Sequence, residues 1–135
     1  MIVADTSAWI EFLRGSEHPA RAVLADLLRR QDELAVTELV VMELLAGRPS
    51  GRPAQELRSR LLALPMLRLE GLADFEEAAS IYRTCRSAGE TVRSLIDCLI
   101  AVPAIRAGAA LLHSDRDFDA IARHTALKIH PAPSR

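Results

Sequence analysis

The sequence predicts an α/β fold: a small, mainly parallel sheet of four or five strands, covered by helices on both faces. Three observations predict it. Short apolar runs of strand length recur along the 135 residues, and stretches with helical apolar spacing lie between consecutive runs. The composition, 50% hydrophobic and 26% charged, is that of an ordinary globular chain. Parallel neighbours need a crossover to bring the chain back, and a helix supplies it, so the alternation reads as a parallel sheet. The length fits one domain over residues 1–135.

Ile2-Val3-Ala4 is the first strand. Asp5, Thr6 and Ser7 are all residues that cap helix starts, and they precede an amphipathic stretch from Ala8 to Arg14 closed by Gly15. Pro19 suits a first helical turn, and Ala22, Leu24, Ala25, Leu27 and Leu28 give a second helix, to Arg30, its apolar stripe. Leu34 to Thr37 is the second strand, with Thr37 as the expected cap of a helix from Glu38 to Ala46 and Gly47 as its left-handed terminator. A loop from Arg48 to Arg52 leads into a helix from Pro53 to Leu64, and Met66 to Leu69 is a third strand. Leu72 to Ala88 and Ser94 to Ala107 are helices stopped by Gly89 and Gly108. Pro103 lacks an amide donor and crowds the carbonyl of Leu99, which predicts a kink or an early end in the second of these. Ala109 to His113 is a fourth strand, Ser114 or Asp115 opens a last helix to about Arg123, and Leu127 to His130 adds a fifth short strand.

Composition removes several classes of function. No run free of Asp, Glu, Lys and Arg exceeds eight residues, where a bilayer span needs roughly 20. No charged-then-apolar leader precedes Asp5, so neither membrane nor export is expected, and the place of action is the cytoplasm. Cys85 and Cys98 lack the spacing of a zinc or redox motif and read as buried thiols in a reducing compartment. A net charge of −1 gives no global basic field, which leaves any nucleic-acid binding to local patches. Sixteen of the 17 basic residues are Arg. Phosphate recognition and codon composition both account for that excess. There is no Gly-Lys-Ser/Thr phosphate loop, no Gly-x-Gly-x-x-Gly, no Gly-x-Ser-x-Gly and no His pair at helical spacing. His18, His113, His124 and His130 are scattered and read as surface or packing residues, with His113 the one placed to border a site.

Several acids stand where apolar residues are expected. Glu43 lies in Leu39-Val40-Val41-Met42-Glu43-Leu44-Leu45-Ala46, Asp97 lies in Leu95-Ile96-Asp97-Cys98-Leu99-Ile100, and Asp5 ends the first strand. Asp115, Asp117 and Asp119 follow the late strand, at the carboxyl edge where Asp5 emerges and where open parallel sheets bind ligands. Singly, each has a structural explanation. Asp5 and Asp115 suit helix caps, Asp97 completes a Ser94-x-x-Asp97 capping pair or meets Arg93, and Glu43 meets an arginine. Jointly they gather negative charge that needs a cation, and an oxygen-only donor set suits a hard divalent ion such as Mg2+ or Mn2+.

These motifs, in this order, resemble the PIN-domain ribonucleases, and among them the VapC-type toxins of type II toxin-antitoxin pairs. The resemblance rests on Asp5-Thr6-Ser7, Met42-Glu43-Leu44-Leu45-Ala46-Gly47, Asp97-Cys98-Leu99-Ile100-Ala101 and Asp115-Arg116-Asp117-Phe118, and covers essentially the whole chain. It implies a PIN-like three-layer α/β/α domain and a Mg2+- or Mn2+-dependent endoribonuclease. It also implies an RNA substrate, inhibition by a VapB-like antitoxin, and a homodimer. Asp5, Glu43, Asp97 and Asp115 would then be the catalytic, metal-binding acids, with Asp117 as a further ligand and Thr6 and Ser7 supporting. Asp119 ranks third for the fourth acid, as a solvated helix residue. Pro103 and His113 depart from the family's usual pattern. Two other classes compete: an inactive PIN-like module that binds RNA or protein, and a phosphotransfer enzyme with Asp5 as nucleophile. The first should have lost one of Asp5, Glu43 and Asp97, and the second wants a nearby Lys where only the distant Lys128 exists. Trp9 and Phe12 either fill the core or, with Leu13 and the leucines from Leu57 to Leu64, line a groove for the partner, and the resemblance favours the groove.

Overall fold

The computed structural model describes residues 1–30 and 33–131. Five strands, β1 (Ile2–Ala4), β2 (Leu34–Thr37), β3 (Met66–Leu67), β4 (Ala110–Leu112) and β5 (Lys128–Ile129), form one sheet in the order β3-β2-β1-β4-β5. All neighbours are parallel, with Val3 opposite Ala35 on one side and Leu111 on the other. The central strands have to be apolar along their whole length because both faces are covered, and β2 is buried at every position.

Seven helices connect the strands: α1 (Thr6–Arg14), α2 (Pro19–Arg30), α3 (Glu38–Ala46), α4 (Arg52–Leu62), α5 (Leu72–Ser87), α6 (Leu95–Ala107) and α7 (Arg116–His124). They pack in two groups, α1 with α2 and α3, and α3 with α4, against α5, α6 and α7 with one another. These are the outer layers of an α/β/α fold. The chain leaves β1 toward β2 on one side and reaches β4 on the other. The gap between the ends of β1 and β4 is therefore a switch point, where connections diverge and leave a crevice.

Several local expectations need correction. Trp9 does not line a groove: it is 1% exposed and fills the core beside α3, with Phe12 edge-on at 5.9 Å. A large ring saves most by being taken out of water, and the expected groove residues Leu57 and Leu61 are buried as well. Gly47 is not left-handed (φ −87°), because the chain leaves α3 through further turn bonds from Gly47 and Arg48 to Leu44 and Leu45. Thr37 makes no capping bond, and its hydroxyl is buried without a partner among the described residues. Strand β3 stops at Leu67, two residues early, since the Leu69 amide donates to Glu38 Oε1 (2.6 Å) and leaves the ladder. Pro103 does not end α6, which runs on to Ala107 and stops at Gly108, whose φ of +65° suits a residue without a side chain.

Candidate functional site

Asp5 leaves β1 at the switch point, its amide donating to Leu112 O of β4 (3.0 Å). It caps α1 as well as facing the crevice, since its Oδ1 accepts from the Ala8 amide (3.2 Å) and from Ser7 Oγ (2.7 Å). Ser7 Oγ in turn accepts from the Ser114 amide (2.8 Å) and ties the two strand ends together. The Asp5 carboxyl is 2% exposed, and burial pushes its pKa up to about 6 against the pull of the Ser7 and Ala8 bonds. Thr6, the next residue, donates to Glu43 Oε1 of α3 at 2.5 Å. Glu43 therefore meets a hydroxyl rather than the arginine its apolar helix suggested.

Asp97 stands in the first turn of α6 and makes no capping pair, because Ser94 caps nothing with its side chain. Nor does it pair with Arg93. Its pKa is pushed up to about 7, first by burial, then by the charges of Asp115, Asp5, Asp117 and Glu43. Four acids thus act on Asp97 across the crevice. Asp97, Asp115 and Asp117 come closest, with one carboxylate oxygen from each lying within 4.8 Å of the others. That spacing suits ligands of one cation, and the donors are all oxygens, as hard divalent ions require.

Asp115 caps α7, accepting from the Asp117 amide (2.9 Å), so here too a helix cap lies among the crevice acids. Asp117 is 3% exposed and accepts from the Arg93 amide (3.0 Å) and Arg93 Nε (3.3 Å), while Arg93 Nη2 reaches Asp115 (2.9 Å). Asp119 is half exposed and points back to His113 Nε2 (3.1 Å). The structure brings together Asp5, Glu43, Asp97, Asp115 and Asp117 with Thr6 and Ser7, and leaves Asp119 outside.

Sequence reading underrated two residues. His113 does more than pack: its ring lies 5.5 Å from Phe118, its Nδ1 accepts from the Asp115 amide (3.0 Å), and its Nε2 meets Asp119. Arg93 belongs with the α7 acids rather than with Asp97 of the helix that follows it, a contact of long sequence separation that no helical spacing announces. The two clefts flanking the acids carry arginines. One, of about 260 Å³, contains Glu43 between Arg14 and Arg48; the other, of about 320 Å³, contains Asp117 with Arg116 and Arg123.

The PIN domain family model matches residues 2–124, almost the whole described chain. The chain belongs to the PIN-domain family. Within it, the chain is 44% identical over 129 residues to ribonuclease VapC11 of Mycobacterium tuberculosis, covering 95% of this chain and 96% of that protein. A VapC ribonuclease of Mycobacterium bovis matches to the same extent. Among solved structures, a toxin-antitoxin complex from Klebsiella pneumoniae superposes with a TM-score of 0.69 at 19% identity over 96% of this chain and all of that one. VapBC2 from Rickettsia felis, bound to a promoter DNA fragment, gives 0.67 at 18% identity over 96% and 98%. Such distant neighbours bear on the fold, and they agree that this PIN-domain chain has the three-layer architecture. No helix among the described residues is long and apolar enough to cross a membrane.

Substituting the α7 acids one at a time separates ligand from cap in this PIN-domain site. Asn caps a helix about as well as Asp. Asp115→Asn is therefore expected to keep the cap of α7, Asp115→Asn and Asp117→Asn to weaken Mn2+ binding by about tenfold or more, and Asp119→Asn to change it less than about twofold. Calorimetric titration of the three variants with MnCl2 checks the order.

Proposed function

We propose that this chain is a VapC-type endoribonuclease toxin that hydrolyses RNA phosphodiester bonds with a divalent cation, Mg2+ or Mn2+, held by its crevice acids. The observation that carries the reading is the approach of Asp97, Asp115 and Asp117 to within 4.8 Å at the switch point, with Asp5 and Glu43 adding to the same field. The 44% identity to proteins named as VapC ribonucleases supports it.

In this reading Asp97, Asp115 and Asp117 hold the ion, with Asp5 beside them. A bound divalent ion would supply Lewis-acid activation of water and offset charge on the phosphodiester. The chain's own residues do the rest. Ser7 and the Ala8 amide fix the orientation of the Asp5 carboxylate through Oδ1. Thr6 donates to Glu43 Oε1 and so restrains this carboxylate, which in this reading accepts from water. Arg14 and Arg48 on one flank and Arg116 on the other are placed to meet phosphates on either side of the cut, where planar guanidinium groups bind well. Single-stranded or looped RNA fits such an open crevice better than a duplex, whose grooves keep the backbone apart.

The α1/α3 cleft is the proposed seat of a VapB-like antitoxin. Ile10, Leu13 and Leu44 line it, and Met42 stands exposed nearby, so an apolar helix laid there would cover Glu43. The toxin acts in the cytoplasm as a homodimer, where Cys85 and Cys98 remain free thiols. Co-expression with the small protein encoded beside it should give a complex that elutes together and lacks nuclease activity; separate elution would remove this partner. For the activity, purified protein is incubated with total RNA plus MgCl2 or MnCl2, and again with EDTA. Fragments only in the presence of the ion support the proposal, and intact RNA under every ion contradicts it.

A further inference from the structure

Arg93 places a cation against the acids that the proposed metal ion would need. It lies just before α6, and its three donors take up most of the α7 acids' oxygens. Both oxygens of Asp117 accept from it, Oδ2 from the backbone amide and Oδ1 from Nε. Asp115 Oδ1 accepts from Nη2 and also from the Asp117 amide. Asp115 Oδ2 and both oxygens of Asp97 receive no protein hydrogen bond among the described residues. We propose that the Arg93 guanidinium is the resident counter-ion of this acidic crevice, which an entering metal ion must displace from Asp115, so that Arg93 sets the affinity of the site for metal. The proposal rests on the reading of Asp97, Asp115 and Asp117 as a metal site.

Three features carry it. The Arg93 side chain is 56% exposed while Asp117 is 3% exposed, so the guanidinium leaves for solvent without opening a void, whereas Asp117 cannot leave. The backbone amide keeps its own bond to Asp117 whatever the side chain does, so the loop stays anchored once the guanidinium has moved. A positive charge within hydrogen-bond distance of two of the three acids repels a divalent ion on the same carboxylates and competes for their lone pairs. An exposed ion pair with a purely structural part would contribute little to stability and nothing to metal affinity.

The test is calorimetric titration of the parent, Arg93→Gln and Arg93→Lys with MnCl2 at neutral pH. Arg93→Gln keeps the amide anchor and removes the charge, and is expected to bind Mn2+ on the order of tenfold more tightly than the parent. Arg93→Lys keeps the charge and should stay within about threefold of the parent. Equal or weaker binding by Arg93→Gln overturns the proposal while leaving the metal site in place. The absence of binding in all three proteins overturns the metal-site reading itself, and the proposal with it. A second measurement uses only the parent: the Arg93 Nε–H resonance, protected in metal-free protein, should shift and exchange faster on saturation with Mg2+. An unchanged resonance at saturation contradicts displacement.

Discussion

Replacing Asp97 with Asn is expected to slow RNA cleavage by at least about a hundredfold while leaving the protein folded. Asp97 is the acid on which the other four converge, and its carboxylate receives no hydrogen bond among the described residues that would explain its position structurally. The amide keeps the shape of the side chain and removes one of the charges a cation would meet. Relief of repulsion from Asp115, Asp5, Asp117 and Glu43 should even make the metal-free variant slightly more stable than the parent at pH 8. The pair of measurements is a cleavage time course with MnCl2 and thermal unfolding without it. A loss of activity with unchanged or raised Tm is the expected combination, and an active Asp97→Asn would remove Asp97 from the site.

Metal and protons compete for the same carboxylates, which fixes the sign of a second large effect. Asp5 is pushed up to about 6 by burial and Asp97 to about 7 by burial and neighbouring acids, both from an ordinary 3.8. Between pH 4 and pH 7 the folded protein therefore holds protons that the unfolded chain has released. These two groups contribute stability that is fully present below about pH 4 and is lost as pH rises through 6 and 7. A bound cation offsets that loss, since it requires the ionised forms. At pH 8 a hundredfold excess of MnCl2 over Kd should raise Tm by roughly 8 °C. At pH 5 the same addition should do far less, because protons hold both sites. Differential scanning at the two pH values decides it, and an equal shift at both would contradict linkage to Asp5 and Asp97.

The sequence exposed most of the fold because each element announced itself locally. Ile2–Ala4 and Leu34–Val36 are apolar throughout, as doubly covered strands are, and Gly15 and Gly108 mark helix ends by their left-handed geometry. What failed was set by tertiary context. Leu69 looked like strand until Glu38, 31 residues away, took its amide, and Trp9 looked like a groove residue until burial claimed it. The acids were legible because each broke an apolar pattern, and for Asp5 and Asp115 the cap reading and the place at the crevice coincide, since each caps a helix there. Arg93 was not legible in that way. Helical spacing pointed it at Asp97, whereas its partners lie 22 and 24 residues on, in a different helix.

The central claim is that the crevice acids turn water onto an RNA phosphodiester, and the identity of the attacking oxygen tests it most directly. A short single-stranded RNA is cleaved with MnCl2 in water enriched in oxygen-18, and the new ends are weighed by mass spectrometry. One oxygen-18 in the phosphate-bearing product per bond cut, within the first turnovers, is the predicted result. Unlabelled 2′,3′-cyclic phosphate ends would mean that the RNA's own 2′-hydroxyl attacks, and would contradict it.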